Sequence, residues 1–286
     1  MAPTNFAKIL EIHSIAAAVV FAVLYAPLLL VFFVKVLRGW TWTRIVLTLF
    51  CQVRIVAFIL RAVLAGSTSA GENESLFIAY SVLYNAGFYW VLNSAYSLVI
   101  DRENIRGGVS AQPEGPFSIL TFIIRQRRVV HIILLAALGL GITGAIESTS
   151  TDANTRSRGQ TLREASVYIF LVVTILLAIH AVLLAIGAMN SQRSGLRVPT
   201  SQQPDLGQDL DATRLGARYD IHILAVIATL FLAREAFFAG TSHDFKTQNR
   251  EAIWYPLAAL TEYLALCLFT VPGLLPTRAQ LKAAKA

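Results

Sequence analysis

Long apolar runs alternate with short polar connections along the chain, and seven of the runs are close to the thickness of a bilayer. They cover Ile12–Val34, Ile45–Ala65, Leu76–Ile100, Val129–Ile146, Ala165–Met189, Tyr219–Phe238 and Ile253–Leu275. At about 1.5 Å of rise per residue, some 20 helical residues cross the roughly 30 Å hydrocarbon layer. Lipid offers no water to backbone amides, so each run must satisfy its own hydrogen bonds as a helix. Barrel strands would be shorter and alternate in polarity. The expected fold is all-α: a polytopic transmembrane bundle of seven helices over residues 1–275, then a short basic tail at 276–286. The first run is too long for the apolar part of a cleavable signal and reads as the first span.

Composition agrees. Charged residues make up 14% of the chain, against about 25% in soluble domains. The net charge of +7 is gathered in the connections on one side, which points to lipid headgroups and away from nucleic acid. Fifteen of the 24 Lys and Arg residues lie on that side, six on the other and three inside spans. The positive-inside bias then puts the N-terminus outside and the C-terminus in the cytoplasm. The one N-x-S/T sequon, Asn73-Glu74-Ser75, falls in an outer connection, which makes Asn73 the glycosylation candidate. The reading is an integral multi-pass protein of either the plasma membrane or an endomembrane. Cys51 and Cys267 both sit inside apolar runs and read as small core residues, not as a disulfide.

Two connections are long. After the turn Gln112-Pro113-Glu114-Gly115-Pro116, an apolar stretch Phe117–Ile124 ends in Arg125-Gln126-Arg127-Arg128. It is expected to lie on the cytoplasmic leaflet with its basic end at anionic headgroups, or to lengthen the fourth span. Asn190–Arg218 is rich in Ser, Gln, Asp, Gly and Pro and reads as a loop. The fourth span carries Ala137, Gly141 and Ala145 at four-residue spacing, a small-residue stripe suited to close helix contact.

The chemistry is in the charges placed within the runs. Arg54 lies near the middle of the second span, and an arginine there costs on the order of 3 kcal/mol on insertion scales. It needs a buried partner, and Glu262, at similar depth in the seventh span, is the natural counter-ion. Arg61 is near the outer end, within reach of the headgroups by snorkelling, or paired with Glu11 or Glu235. An outer polar cluster of Glu11, His13, Arg234 and Glu235 is expected. Arg234 and Glu235 are adjacent, about 100° apart on a helix, and are expected to bond to different neighbours. Asp220, His222 and His131 sit at inner ends and read as solvated. Asn85 and Asn93, with Tyr84 between the helices, either bridge spans or line a cavity.

Known catalytic signatures are missing from the sequence: no HExxH, Walker loop, nucleophile elbow, CxxC or zinc-type cluster. No cofactor or metal is called for. Asp101-Arg102-Glu103 ends the third span and is similar to the acidic-Arg triplet of rhodopsin-type receptors; a charged stop to the helix explains it as well. The seventh span has no NPxxY.

Glu11, Tyr25-x-Pro27, Phe50-x-x-x-Arg54-Ile55, Asn85-Ala86-Gly87 and Glu262 carry a resemblance to a family of fungal seven-span integral membrane proteins, known mainly as a domain of unknown function. More distantly, the layout resembles the RTA-like lipid-translocating exporters. The resemblance runs from the N-terminus to the seventh span. It departs after Arg54-Ile55, where Val56-Ala57-Phe58 stands in place of the family's glycines. It implies a topology more than an activity. Three readings follow. In the first, the bundle binds or translocates a lipophilic or weakly acidic small molecule at Arg54, Arg61, Tyr84, Asn85, Asn93 and Glu262, with membrane lipids as its surroundings. In the second, the same pocket serves a receptor-like sensor. In the third, Glu262 or Glu11 is the acid of a membrane-embedded isomerase or cyclase of isoprenoid-type substrates.

Overall fold

A computed structural model describes residues 12–105, 126–150, 152–193 and 219–283. Glu11, the apolar stretch at 117–124 and most of the connection after 190 lie outside them. Among the described residues there is no strand, and seven helices are long and apolar enough to cross a membrane. They are α1 (Ile15–Arg38), α2 (Trp42–Gly66), α3 (Glu74–Ile105), α4 (Arg127–Glu147), α5 (Ala153–Arg193), α6 (Asp220–Gly240) and α7 (Glu251–Phe269).

Helices adjacent in sequence pack against one another, and α7 returns to touch α1. α3 is central, in contact with α2, α4, α5 and α6. The apolar residues left on the outside suit lipid. Val23, Leu30 and Phe33 of α1, Ile59 of α2 and Leu183 of α5 are all exposed. Trp40 and Trp42 are exposed in the α1–α2 connection beside Lys35, Arg38 and Arg44, the arrangement of an interfacial aromatic belt.

Small residues set the closest helix contact. Ser166 of α5 donates its hydroxyl to the Ala137 carbonyl at 2.7 Å, and Gly141 faces the same hydroxyl. A Cβ at Gly144 would stand 2.7 Å from the Arg163 backbone nitrogen and 2.8 Å from the Gly159 carbonyl oxygen, so α4 and α5 touch backbone to backbone there. Pro27 is accommodated within a continuous α1.

Two helices differ from the expected spans. α5 has 41 residues and starts at Ala153, twelve residues before the apolar run. Mostly polar residues extend it beyond the apolar run, and Asp152 starts it by accepting from the Thr155 amide at 2.9 Å. α7 stops at Phe269, because Pro272 and Gly273 break it; Gly273 has φ 88°, the left-handed region that suits glycine. Within α7, Tyr255–Leu260 forms a π-helical segment with Pro256 near its start. Such segments redirect the side chains around them.

The ends of the bundle are tied by charge. Where α1 begins, the Glu251 carboxylate at the start of α7 accepts from the His13 and Ser14 amides at 2.9 and 2.8 Å. At the opposite end the Asp101-Arg102-Glu103 triplet fans out to three helices. Asp101 pairs with Arg127 of α4, and Glu103 meets His180 of α5 at 3.2 Å. Arg102 faces Asp220 of α6 at 3.5 Å and donates from Nε to the Leu274 carbonyl at 3.1 Å. The triplet is a tie between helices. Asp220 is buried, against the expectation of a solvated residue, because α6 starts inside this network. His131 is exposed and lies 3.1 Å from the Tyr89 hydroxyl.

Candidate functional site

The polar centre of the bundle is assembled from α2, α3, α6 and α7. Three guanidinium groups, Arg54, Arg61 and Arg234, and two carboxylates, Glu235 and Glu262, are buried there. Arg54 donates from Nε to Glu262 Oε1 at 3.1 Å, and its Nη2 pairs with the same oxygen. Its Nη1 donates to the Tyr84 carbonyl at 2.8 Å. Gly87 lies against this group: a Cβ there would be in van der Waals contact with the Arg54 guanidinium carbon, at 3.4 Å. The Tyr84 ring closes the other side, 4.0 Å from Arg54 Cζ.

Glu262 is shared. Its second oxygen faces Arg234 Nε at 3.8 Å. Arg234 also pairs through Nη1 with Glu235, and it lies over the Phe88 ring at 3.7 Å. The expectation that Arg234 and Glu235 bond to different neighbours is thus corrected. Both side chains turn inward, and the arginine stem is long enough to close the angle between adjacent positions.

Arg61 also differs from its expected role. It is fully buried, so it neither snorkels nor pairs with a carboxylate among the described residues. Nη1 donates to the Tyr80 hydroxyl at 2.6 Å, and Nε donates to the Tyr255 hydroxyl at 3.3 Å. The guanidinium stacks on Trp254 at 3.9 Å, and its Nη2 makes no hydrogen bond. An aromatic cage of this kind offsets burial by cation–π attraction and phenol dipoles.

Among the described residues, the members of the expected outer polar cluster lie apart. Glu11 lies outside the described residues, and the His13 side chain is exposed. Arg234 and Glu235 belong to the central cluster. Asn73 is exposed and caps α3 by accepting from the Leu76 amide at 3.1 Å. Asn93 lies eight residues beyond Asn85 on α3, half-buried and away from the cavity.

That cavity, of about 80 Å³, runs from Ser148, Gln248 and Asn249 at the end where α1 begins to Phe88 and Arg234 inside. Water needs about 10–15 Å³ by this measure, so several waters or one small polar group fit. Tyr80, Tyr84, Asn85, Arg163, Glu235 and Trp254 also line it. Arg54 and Glu262 are not in its wall. Trp254, Tyr255 and Arg163 contribute without being among the residues that the sequence singles out. Trp254-Tyr255-Pro256 at the start of the seventh run was the available signal, since aromatic residues beside a helix-breaking proline face the depth at which Arg61 needs a partner. Among the described residues no group of three or more His, Cys, Asp or Glu is placed to hold a metal. Both cysteines are free. Comparison with family models, with curated proteins and with solved structures finds no match for this chain.

Proposed function

We propose that this multi-pass membrane protein binds, and carries within or across the bilayer, a lipophilic small molecule that bears an anionic group. The observation that carries the reading is the buried Arg234–Glu235 pair that lines a cavity between the spans, within a cluster that holds one more guanidinium than carboxylate. Ionisable groups inside a membrane are costly and mark ligand paths by default. An arginine suits a carboxylate, phosphate or sulfonate, a group of the size the cavity admits, and the rings of Tyr84, Phe88 and Trp254 suit the carbon next to it. With the N-terminus outside, the cavity opens towards the exterior or the lumen.

The test is mass spectrometry of small molecules that co-purify with the full chain in mild detergent. The comparison is a double variant, Arg234→Leu with Glu235→Leu, which removes the pair without orphaning either charge. A lipophilic acid retained by the wild type and lost from the folded double variant is the expected result. Identical small molecules in both preparations, or none in either, would sink the reading.

A further inference from the structure

The cavity wall holds one cation–anion pair, Arg234 with Glu235, and one further guanidinium, Arg163, which is bonded to Gln248. Arg234 is the only guanidinium of the central cluster that lines the cavity. Its Nη1 is committed to Glu235, and its Nε faces Glu262 at 3.8 Å without a hydrogen bond. Glu262 cannot yield. It is locked by Arg54 from α2, which is itself anchored to the Tyr84 carbonyl. Glu235 can yield, because among the described residues its ion pair is with Arg234 alone, and it borders the cavity.

We infer that the ligand's anionic group replaces Glu235 on Arg234 while Glu235 takes up a proton from the aqueous mouth of the cavity, so that binding one anion is coupled to binding one proton. This rests on the reading of a bound lipophilic anion given above. The balance is simple. The Arg234–Glu235 ion pair is exchanged for an Arg234–ligand ion pair, and the displaced carboxylate becomes a neutral acid. Without the proton, two anions would compete for the Arg234 guanidinium, with Arg163 in the same wall held by Gln248.

The other charged and titratable groups around Glu235 come from every neighbouring helix. α3 contributes the phenols of Tyr80 and Tyr84 to the wall, and behind it α7 contributes Glu262, whose second oxygen faces Arg234 Nε at 3.8 Å. α4 presents no ionisable side chain to the cavity. α5 contributes Arg163, which is bonded to Gln248. The surplus cation Arg61 stands outside the cavity wall, already enclosed by Trp254, Tyr80 and Tyr255.

The probe is octane-1-sulfonate, whose own charge does not change with pH. Binding to the full chain in phosphatidylcholine nanodiscs is measured by titration calorimetry in buffers of different ionisation enthalpy, with empty nanodiscs subtracted. The wild type is expected to take up about one proton per anion on the alkaline side, with affinity falling about tenfold per pH unit there. Glu235→Gln is expected to bind with no proton uptake and with flat pH dependence. A protonated-carboxyl band should appear in the infrared difference spectrum of the wild type on anion addition, and it should shift in Glu235→Asp. Anion binding without proton uptake, at pH-independent affinity, overturns the coupling and leaves the binding function standing. That outcome would mean that the Arg61 surplus or Arg163 absorbs the extra charge. Failure of the folded protein to bind the sulfonate at any pH overturns both.

Discussion

Glu262 Oε1 accepts from Arg54 Nε at 3.1 Å, and both side chains are buried at the centre of the bundle. The two residues are 208 positions apart, and this contact joins α2 to α7. Removing one partner strands a charge in a dry interior, which typically costs about 3–5 kcal/mol; replacing both with apolar groups is often close to neutral. Arg54→Leu and Glu262→Leu are each expected to lower the melting temperature in detergent strongly. The double variant should melt above either single one. A double variant that melts at the sum of the two losses would show that the pair contributes nothing as a pair.

The α4–α5 contact gives a sharper contrast between two glycines on one helix. At Gly144 a methyl would meet backbone atoms of α5 at 2.7 and 2.8 Å, and backbone cannot swing aside. Gly144→Ala should therefore force the helices apart and cost about 1–3 kcal/mol. At Gly139 nothing lies within 4 Å. Gly139→Ala should be neutral or stabilise by up to about 1 kcal/mol through helix propensity. Thermal unfolding of the two variants side by side checks this, and equal effects would mean that the helices are not in backbone contact.

The bundle was readable because hydrophobic run length is a direct physical requirement of lipid, and the depth of Arg54 and Glu262 could be counted from helix ends. What lay beyond depth was not readable. The Arg234–Glu235 pair does not show in angular spacing, which describes Cβ atoms, whereas a guanidinium travels several bonds further. Asp220 looked solvated because its neighbour Arg102 is 118 positions away in sequence, and only the packing of α3 on α6 brings them together. Arg61 was expected to find a carboxylate or the headgroups. Its cage brings Tyr80 of α3 to Trp254 and Tyr255 of α7, a meeting that no hydrophobic pattern encodes.

Two aspartates outside the spans give a pH prediction with a definite sign. Asp152 accepts from the hydroxyl and amide of Thr155, and Asp244 does the same with Thr247. These bonds lower both carboxyls below the usual value of 3.8. A lowered folded pKa means that the caps contribute above the unfolded value and lose their contribution as pH falls through the folded one. Hydrogen exchange at the Thr155 and Thr247 amides should accelerate, relative to intrinsic rates, only in that acid window. Asp152→Asn keeps a side-chain acceptor and should remove the pH dependence at Thr155. Persistence of that dependence in the variant would place its origin elsewhere.

The cage around Arg61 can be dissected because its parts act by different physics. Tyr80→Phe and Tyr255→Phe each remove one oxygen that accepts from the guanidinium. Each leaves a buried donor unsatisfied and should cost about 1–3 kcal/mol. Trp254→Leu removes the stacked face at 3.9 Å, a loss of about 2 kcal/mol for a desolvated pair before any packing change. Arg61→Lys should not rescue the site, since an ammonium cannot stack on indole while donating in plane to two phenols on separate helices. Arg61→Leu abolishes the need for the cage, so adding Tyr80→Phe to it should cost much less than Tyr80→Phe alone. Melting temperatures for this cycle in one detergent measure the coupling. If the Tyr80 loss is the same in both backgrounds, Arg61 is not held by the phenol, and its charge must be met by another group.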